Sequence, residues 1–244
     1  MPPSSLPQLR ARIAAIAPAS RHGMLPLDGG EIDAALGGGL SLGALHAFEG
    51  AGIEAETCAI PAAFLARLMA HLPSGRPVFW IAEVNDLYAP GLIGLGLDPG
   101  RLIHLRCVSD DETLGAMETL LRSRAVACVV AEAARVSTLA GRRLQMACLG
   151  SGCTGFLLQR FPYGKRATEP ISAAVTRWRL GPSPSIKKGR LPGPARWRAE
   201  LLHSRSGPPA EWILEQEDHE NATHPFRVAS RLANTQVDPR RLAG

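Results

Sequence analysis

The chain has 244 residues, of which 45% are hydrophobic and 20% charged, and its formal net charge is +5. Such a length supports one α/β domain with a smaller extension, and no uninterrupted apolar stretch approaches the roughly 20 residues that a membrane helix needs. The opening MPPSSLPQLRARIAAIAPAS lacks an apolar core closed by a cleavage site, so a soluble, cytoplasmic protein is expected. The five cysteines form no Cys-x-x-Cys pair and several fall in apolar runs, which favours buried thiols over disulfides or metal. His203, His219 and His224 are spaced unlike a zinc motif, and no Ser/His/Asp or Cys/His arrangement is legible.

Charge is unevenly divided. Residues 1–159 carry 12 Lys/Arg against 14 Asp/Glu, a net −2, whereas residues 160–244 carry 15 against 8, a net +7. A basic final third suits nucleic acid, an acidic protein partner, or solubility alone.

In chain order, Leu6, Leu9, Ile13 and Ile16 recur at helical spacing with Arg10 and Arg12 outside, predicting an amphipathic helix over 4–16 that docks on its own core or on a partner. A helical turn over 31–36 is stopped by Gly37-Gly38-Gly39. The apolar run 44–49 reads as a buried strand and 55–72 as a helix. Between them Gly50-Ala-Gly-Ile-Glu-Ala55-Glu56-Thr57 lies over the phosphate-cradling template Gly-x-x-x-x-Gly-Lys-[Ser/Thr], with Ala55 in place of the second glycine and Glu56 in place of the lysine. A working loop offers backbone N–H groups at a helix N-terminus and one cation to the phosphates. Unit charges about 4 Å apart interact by roughly 4 kcal/mol at an effective dielectric near 20, so an anion at this position disfavours nucleotide strongly. No cofactor is therefore expected.

The alternation continues with strands over 78–82, 102–105, 125–131 and 154–159 and helices over 86–95, 110–122 and 138–149. Strands separated by helices of about a dozen residues predict right-handed crossovers and a mainly parallel sheet. The run 125–131, almost wholly apolar, fits a strand covered on both faces. Strands over 173–180, 195–203 and 211–216 are expected as antiparallel additions at the sheet edge, and a polar tail from 218 includes a short element at 226–232. The implied division is an N-terminal segment 1–24, a core 25–180, a basic antiparallel extension 181–217 and a tail 218–244.

Asp33-Ala-Ala-Leu-Gly-Gly-Gly-Leu-Ser41-Leu-Gly-Ala-Leu-His46 resembles the entry of the RecA recombinase core into its phosphate loop, with Ser41 where proline is usual. Trp80-Ile-Ala-Glu83 is similar to the strand that ends in that family's water-activating glutamate, and Leu97-Asp-Pro-Gly-Arg-Leu-Ile echoes its next loop and strand. The resemblance covers roughly residues 25–180 and implies an α/β fold, a RecA-like mainly parallel sheet flanked by helices. The strand that should end in a magnesium-binding aspartate reads Val129-Val130-Ala131-Glu132, so Ala131 stands at the metal position and Glu132 is displaced by one residue, onto the opposite face of the strand. Glu83 keeps the place of the catalytic base, but with neither nucleotide nor metal it is expected to be an inherited structural or interface residue.

A RecA-like core with an erased nucleotide site and a basic C-terminal segment resembles the ImuA family. That family is encoded beside ImuB, a catalytically dead relative of Y-family polymerases, and an error-prone C-family polymerase. The resemblance implies a non-enzymatic scaffold in translesion synthesis during the SOS response, with an ImuB-type protein as direct partner and the C-family polymerase as an indirect one. Three rivals remain: a divergent ATPase, an inhibitor that caps RecA filaments or blocks FtsZ in the manner of SulA, and a plain DNA-binding module.

Two basic phrases are candidate contacts. Arg160, Phe161, Tyr163, Lys165 and Arg166 follow the last parallel strand and suit phosphate contact with base stacking, or a solvated loop anchored by an aromatic ring. Arg177-Trp178-Arg179 and Arg196-Trp197-Arg198 repeat one phrase on two strands, where alternation places tryptophans on one face and arginines on the other. The arginines are either wet neighbours of a tryptophan core or a cationic strip for DNA or an acidic partner, extended by Lys187, Lys188 and Arg190.

Overall fold

A computed structural model of the chain describes residues 21–52, 59–72, 75–161, 171–186, 193–216 and 222–232. A two-stranded ribbon of β1 (Met24–Leu25) and β2 (Leu40–Ser41) brackets helix α1 (Glu31–Leu36). Strand β3 (Leu45–Gly50) is followed by α2 (Ala59–Ala70), β4 (Val78–Ala82), the short α3 (Ala89–Ile93), β5 (Leu102–Arg106), α4 (Asp110–Leu121), β6 (Cys128–Glu132), α5 (Thr138–Ser151) and β7 (Thr154–Gln159). Four more strands complete the chain: β8 (Thr176–Ser183), β9 (Arg196–Ser204), β10 (Ala210–Glu215) and β11 (Arg227–Leu232).

Nine strands form one sheet in the order β11-β10-β9-β8-β3-β7-β6-β4-β5. From β8 to β5 every pairing is parallel, and from β8 to β11 every pairing is antiparallel. The fold is thus α/β, a mainly parallel sheet flanked by helices with antiparallel strands at one edge. The first of the three strands expected as antiparallel additions is a correction: β8 runs parallel to β3, with Val175 N–H donating to Leu45 O at 2.8 Å, and the chain reverses only at the β8–β9 hairpin. The element expected at 226–232 is strand β11, paired along β10. The helix expected over 86–95 shrinks to Ala89–Ile93, because Pro90, Gly91 and Gly94 weaken it and Asp86 is bound elsewhere. The expected N-terminal helix over 4–16 lies outside the described residues.

Local chemistry sets these boundaries. Ser109 accepts the Glu112 N–H while Glu112 Oε2 accepts the Val108 N–H, so the first turn of α4 is capped from both sides. Ser137 accepts the Ala140 N–H at the start of α5, which ends at Gly152 with φ 84°, a left-handed residue that favours glycine. In the triple-glycine turn Gly39 has φ 127°, and a Cβ there would lie 2.5 Å from Leu25 O. Only glycine permits β1 and β2 to close over α1.

Two apolar layers cover the parallel sheet. One joins α2 to β3, β4, β6 and β7 and runs on without a break into Trp178, Trp197, Trp212 and Leu214 of the C-terminal strands and Phe226 just before β11. Phe226 stacks on Phe64 of α2 with centroids 4.3 Å apart, and its N–H donates to Leu27 O. Arg67, fully buried on the same helix, donates through Nε and Nη2 to Pro225 O at 3.0 and 2.8 Å. The other layer packs α4 and α5 against Leu45, Ile81, Val129, Ala131 and Leu157. The described cysteines, Cys107, Cys128, Cys148 and Cys153, are buried and free. Among the described residues no helix is long and apolar enough to cross a membrane.

His46 is the titratable centre of this core. It is fully buried on β3; Nε2 lies 2.8 Å from Ser41 O and Nδ1 2.8 Å from Thr176 Oγ1, which also accepts the Trp178 indole N–H. A neutral ring satisfies every partner: Nε2–H donates to Ser41 O, and Nδ1 accepts the Thr176 hydroxyl. Burial lowers its pKa from 6.5 to about 4, outweighing the Ser41 carbonyl, which acts the other way. Between those values the unfolded chain takes up a proton that the folded chain refuses, so stability falls as pH drops from 6.5 to about 4. Denaturant unfolding should show wild type losing about 3 kcal/mol relative to His46→Gln over that interval. A pH-independent difference between the two would mean that the ring protonates freely in the folded state.

Candidate functional site at the carboxyl ends of the parallel strands

In an open parallel sheet, ligands are met beyond the carboxyl ends of the strands. Here those ends present Gly50, the 83–88 loop after β4, Arg106, Glu132 and Arg160. Strand β3 lies between β7 and β8, so the loop that follows it starts at the middle of this edge. Gly50 pairs with Leu180, Ala51 N–H donates to Leu180 O at 2.7 Å, and Gly52 has φ 126°. Ala55, Glu56 and Thr57 lie outside the described residues.

Glu132 is displaced as the sequence predicts: Ala131 packs in the α4–α5 layer, Val130 in the α2 layer, and Glu132 follows Val130. Its two oxygens are both engaged. Oε1 accepts the indole N–H of Trp80 at 2.7 Å, and Oε2 meets Arg160 Nη1 at 2.8 Å. The same guanidinium forks onto Asp86, Nη1 to Oδ1 at 2.9 Å and Nη2 to Oδ2 at 2.8 Å. Strand β6, strand β7 and the loop after β4 are therefore joined through one cation whose side chain is only 15% exposed.

The two carboxylates respond differently to that shared charge. Burial pushes the Glu132 carboxyl above its ordinary range, although Arg160 and the Trp80 N–H favour its anion. Asp86, with a side chain 46% exposed, is held below its ordinary range chiefly by the hydrogen bond from Arg160. Glu83 is exposed, and its backbone carbonyl accepts a long hydrogen bond from Arg106 Nε. The carboxyl ends of β6 and β7 and the loop after β4 thus gather a guanidinium, two carboxylates and an indole.

The repeated Arg-Trp-Arg phrases divide as alternation requires. Trp178 and Trp197 are buried in the α2 layer, while the arginines lie on the other face of the sheet. There they are paired. Glu49 on β3 meets Arg179 on β8 at 2.6 Å, Arg179 meets Glu200 on β9 at 3.5 Å, and Arg198 bridges Glu200 and Glu211 of β10. Arg196 and Arg227 both close on the nearly buried Glu215, at 3.1 and 3.0 Å. Four arginines thus face four glutamates, a balanced ladder rather than an open cationic strip. Arg177, half-buried, lies opposite His203, whose pKa is lowered by burial and then by Arg177 and Arg205. Phe161 is half-buried beside Arg160. Tyr163, Lys165, Arg166, Lys187, Lys188 and Arg190 lie outside the described residues.

Reading the residues alone missed Asp86 and the indole of Trp80 as partners of Glu132 and Arg160. Arg160 stands 74 positions from Asp86, and no local spacing signals the pair. The only available cue was an arginine placed directly after the last parallel strand, at the level where a displaced acid ends its neighbour.

Comparison with known proteins adds a relationship of sequence. Two proteins named Protein ImuA, from Caulobacter vibrioides strains NA1000 / CB15N and ATCC 19089 / CIP 103742 / CB 15, are each 46% identical to this chain over 213 residues. Each alignment covers 82% of this chain and 86% of the relative. No family model matches the chain.

Arg160→Ala leaves Asp86 and the buried Glu132 without their shared cation, and removing one partner of a buried pair costs about 3–5 kcal/mol. Urea unfolding at neutral pH should report a loss of that size, shrinking as acid protonates Glu132. Adding Glu132→Gln to Arg160→Ala should recover part of it. Equal deficits in the single and double variants would show that the triad is not coupled.

Proposed function

The chain belongs to the ImuA family, and from that membership we propose that it acts in the SOS-inducible mutagenesis system as a non-catalytic RecA-fold adaptor. In this reading it joins an ImuB-type inactive Y-family polymerase, and through it an error-prone C-family polymerase, to damaged DNA. The observation that carries the non-catalytic part is the Asp86–Arg160–Glu132 triad. It places an internal cation at the carboxyl edge of the sheet where a motor of this fold needs room for metal-bound phosphates, next to an apolar Ala131. Glu56 in the phosphate-loop position supports the same conclusion from sequence.

The C-terminal strands change where a partner surface can be sought. The described residues 193–216 and 222–232 are integral to the fold, because Trp197, Trp212, Leu214 and Phe226 fill the core beneath α2. Truncation near Leu180 would expose that core, and loss of binding would then report unfolding. Charge reversal on the folded protein is the informative change.

The full-length chain should co-purify with an ImuB-type partner equally well with and without magnesium and ATP, and calorimetric titration of the pure protein should show no magnesium-dependent ATP binding at micromolar concentration. ATP turnover, or binding that survives Glu56→Ala, would overturn the non-catalytic reading. Failure to retain the partner under both conditions would overturn the adaptor reading.

A further inference from the structure

Helix α5 is amphipathic in a way that the core leaves half used. Leu144, Ala147 and Cys148 enter the layer beneath it, and Gly141 approaches Ala173 so closely that a Cβ would lie 3.3 Å from the Ala173 methyl. On the outer side Leu139, Met146 and Leu149 are 68%, 66% and 45% exposed, at intervals that keep them on one stripe of the helix. Single exposed apolar residues need no explanation, but three along one stripe beside a cavity mark a contact surface.

The cavity lies where α4 and α5 end together. It is an open cleft of about 420 Å³ lined by Arg122, Arg142, Arg143, Met146, Ala147, Gly150 and Ser151. Arg122 and Arg143 both close on Glu118, the latter at 2.6 Å, so two guanidiniums share one carboxylate, and with Arg142 the lining carries three positive charges against that single negative one. From residue 122 to 151 the sequence holds five arginines and a single acid, Glu132, which is already engaged by Arg160 and Trp80. Nothing lies within 4 Å of the place a Gly150 side chain would occupy, so the floor admits a close approach. Methionine at the centre supplies an adaptable apolar contact.

We propose that this cleft and the outer stripe of α5 form a docking surface for an acidic amphipathic helix of a protein partner. Aliphatic anchors on the incoming helix would cover Leu139, Met146 and Leu149 while its carboxylates meet Arg142 and the pair at Glu118, the groove mode in which residues at i, i+3 or i+4, and i+7 carry the contact. Nucleic acid fits less well, since the lining has no aromatic ring for a base to stack on and aliphatic side chains gain nothing from phosphate. The surface lies on α4 and α5, apart from the Asp86–Arg160–Glu132 triad, and the inference does not rest on whether the protein binds nucleotide.

The test uses full-length protein carrying ¹³C-methyl methionine, with the Met146 signal assigned through Met146→Leu. The probes are a synthetic helix of about 18 residues, roughly five turns, with leucines on one stripe and glutamates beside it, a scrambled peptide of equal composition, and single-stranded oligothymidine. The amphipathic peptide should move the Met146 methyl signal and the scrambled one should not. Arg142→Glu, on an exposed side chain, should weaken the peptide about tenfold with an unchanged melting temperature. A Met146 signal indifferent to the amphipathic peptide, equal binding by the scrambled peptide, or a response to oligothymidine alone would each overturn the proposal, as would an Arg142→Glu variant that binds as wild type does.

Discussion

The guanidinium of Arg160 lies between two carboxylates that belong to separate segments, and the more buried of them could not remain charged there without it. Glu132 alone would face the desolvation cost of an anion in a largely apolar setting. With Arg160 on one oxygen and the Trp80 indole on the other, each lone pair that faces the interior has a donor. The fork onto Asp86 then draws the loop after β4 toward the end of β7. One side chain thus ties the end of β6 and the loop after β4 to the residue that follows β7.

A second constraint acts on the far side of β3. The ring stack of Phe64, Phe226, Trp197 and Trp178 makes α2 the shared wall of the parallel strands and of the antiparallel ones. Because Arg67 donates twice to the Pro225 carbonyl, the last described segment is fixed to helix α2. In an enzyme of this architecture that helix would transmit what happens at a nucleotide. In this chain aromatic packing holds it from one side and the Pro225 carbonyl from another.

Much of the sheet was legible in the sequence because buried parallel strands announce themselves as short apolar runs between helices; 78–82 and 154–159 coincide with β4 and β7 residue for residue. The one-residue displacement of the acid at the end of β6 was legible for the same reason, since strand periodicity assigns faces without ambiguity. What the sequence concealed is relational. Residues 173–180 look the same whether a strand pairs parallel or antiparallel, and only its neighbours decide. The arginines flanking Trp178 and Trp197 look like a surface for anions until Glu49, Glu200, Glu211 and Glu215, drawn from β3, β9 and β10, arrive beside them. Charge counted along a chain overstates what a folded surface offers when opposite signs are brought into register.

Among the described residues, both rims of the nine-stranded sheet end in strands with one side unpaired, β5 and β11. Arg101 and Arg106 bracket the first, and Arg227 and Arg231 lie within the second. Rim-to-rim stacking of copies would bring guanidinium against guanidinium along an otherwise ready hydrogen-bonding template, and such repulsion is a common guard against filamentous growth. Pairing of copies edge to edge through the backbone is thereby disfavoured at both strands.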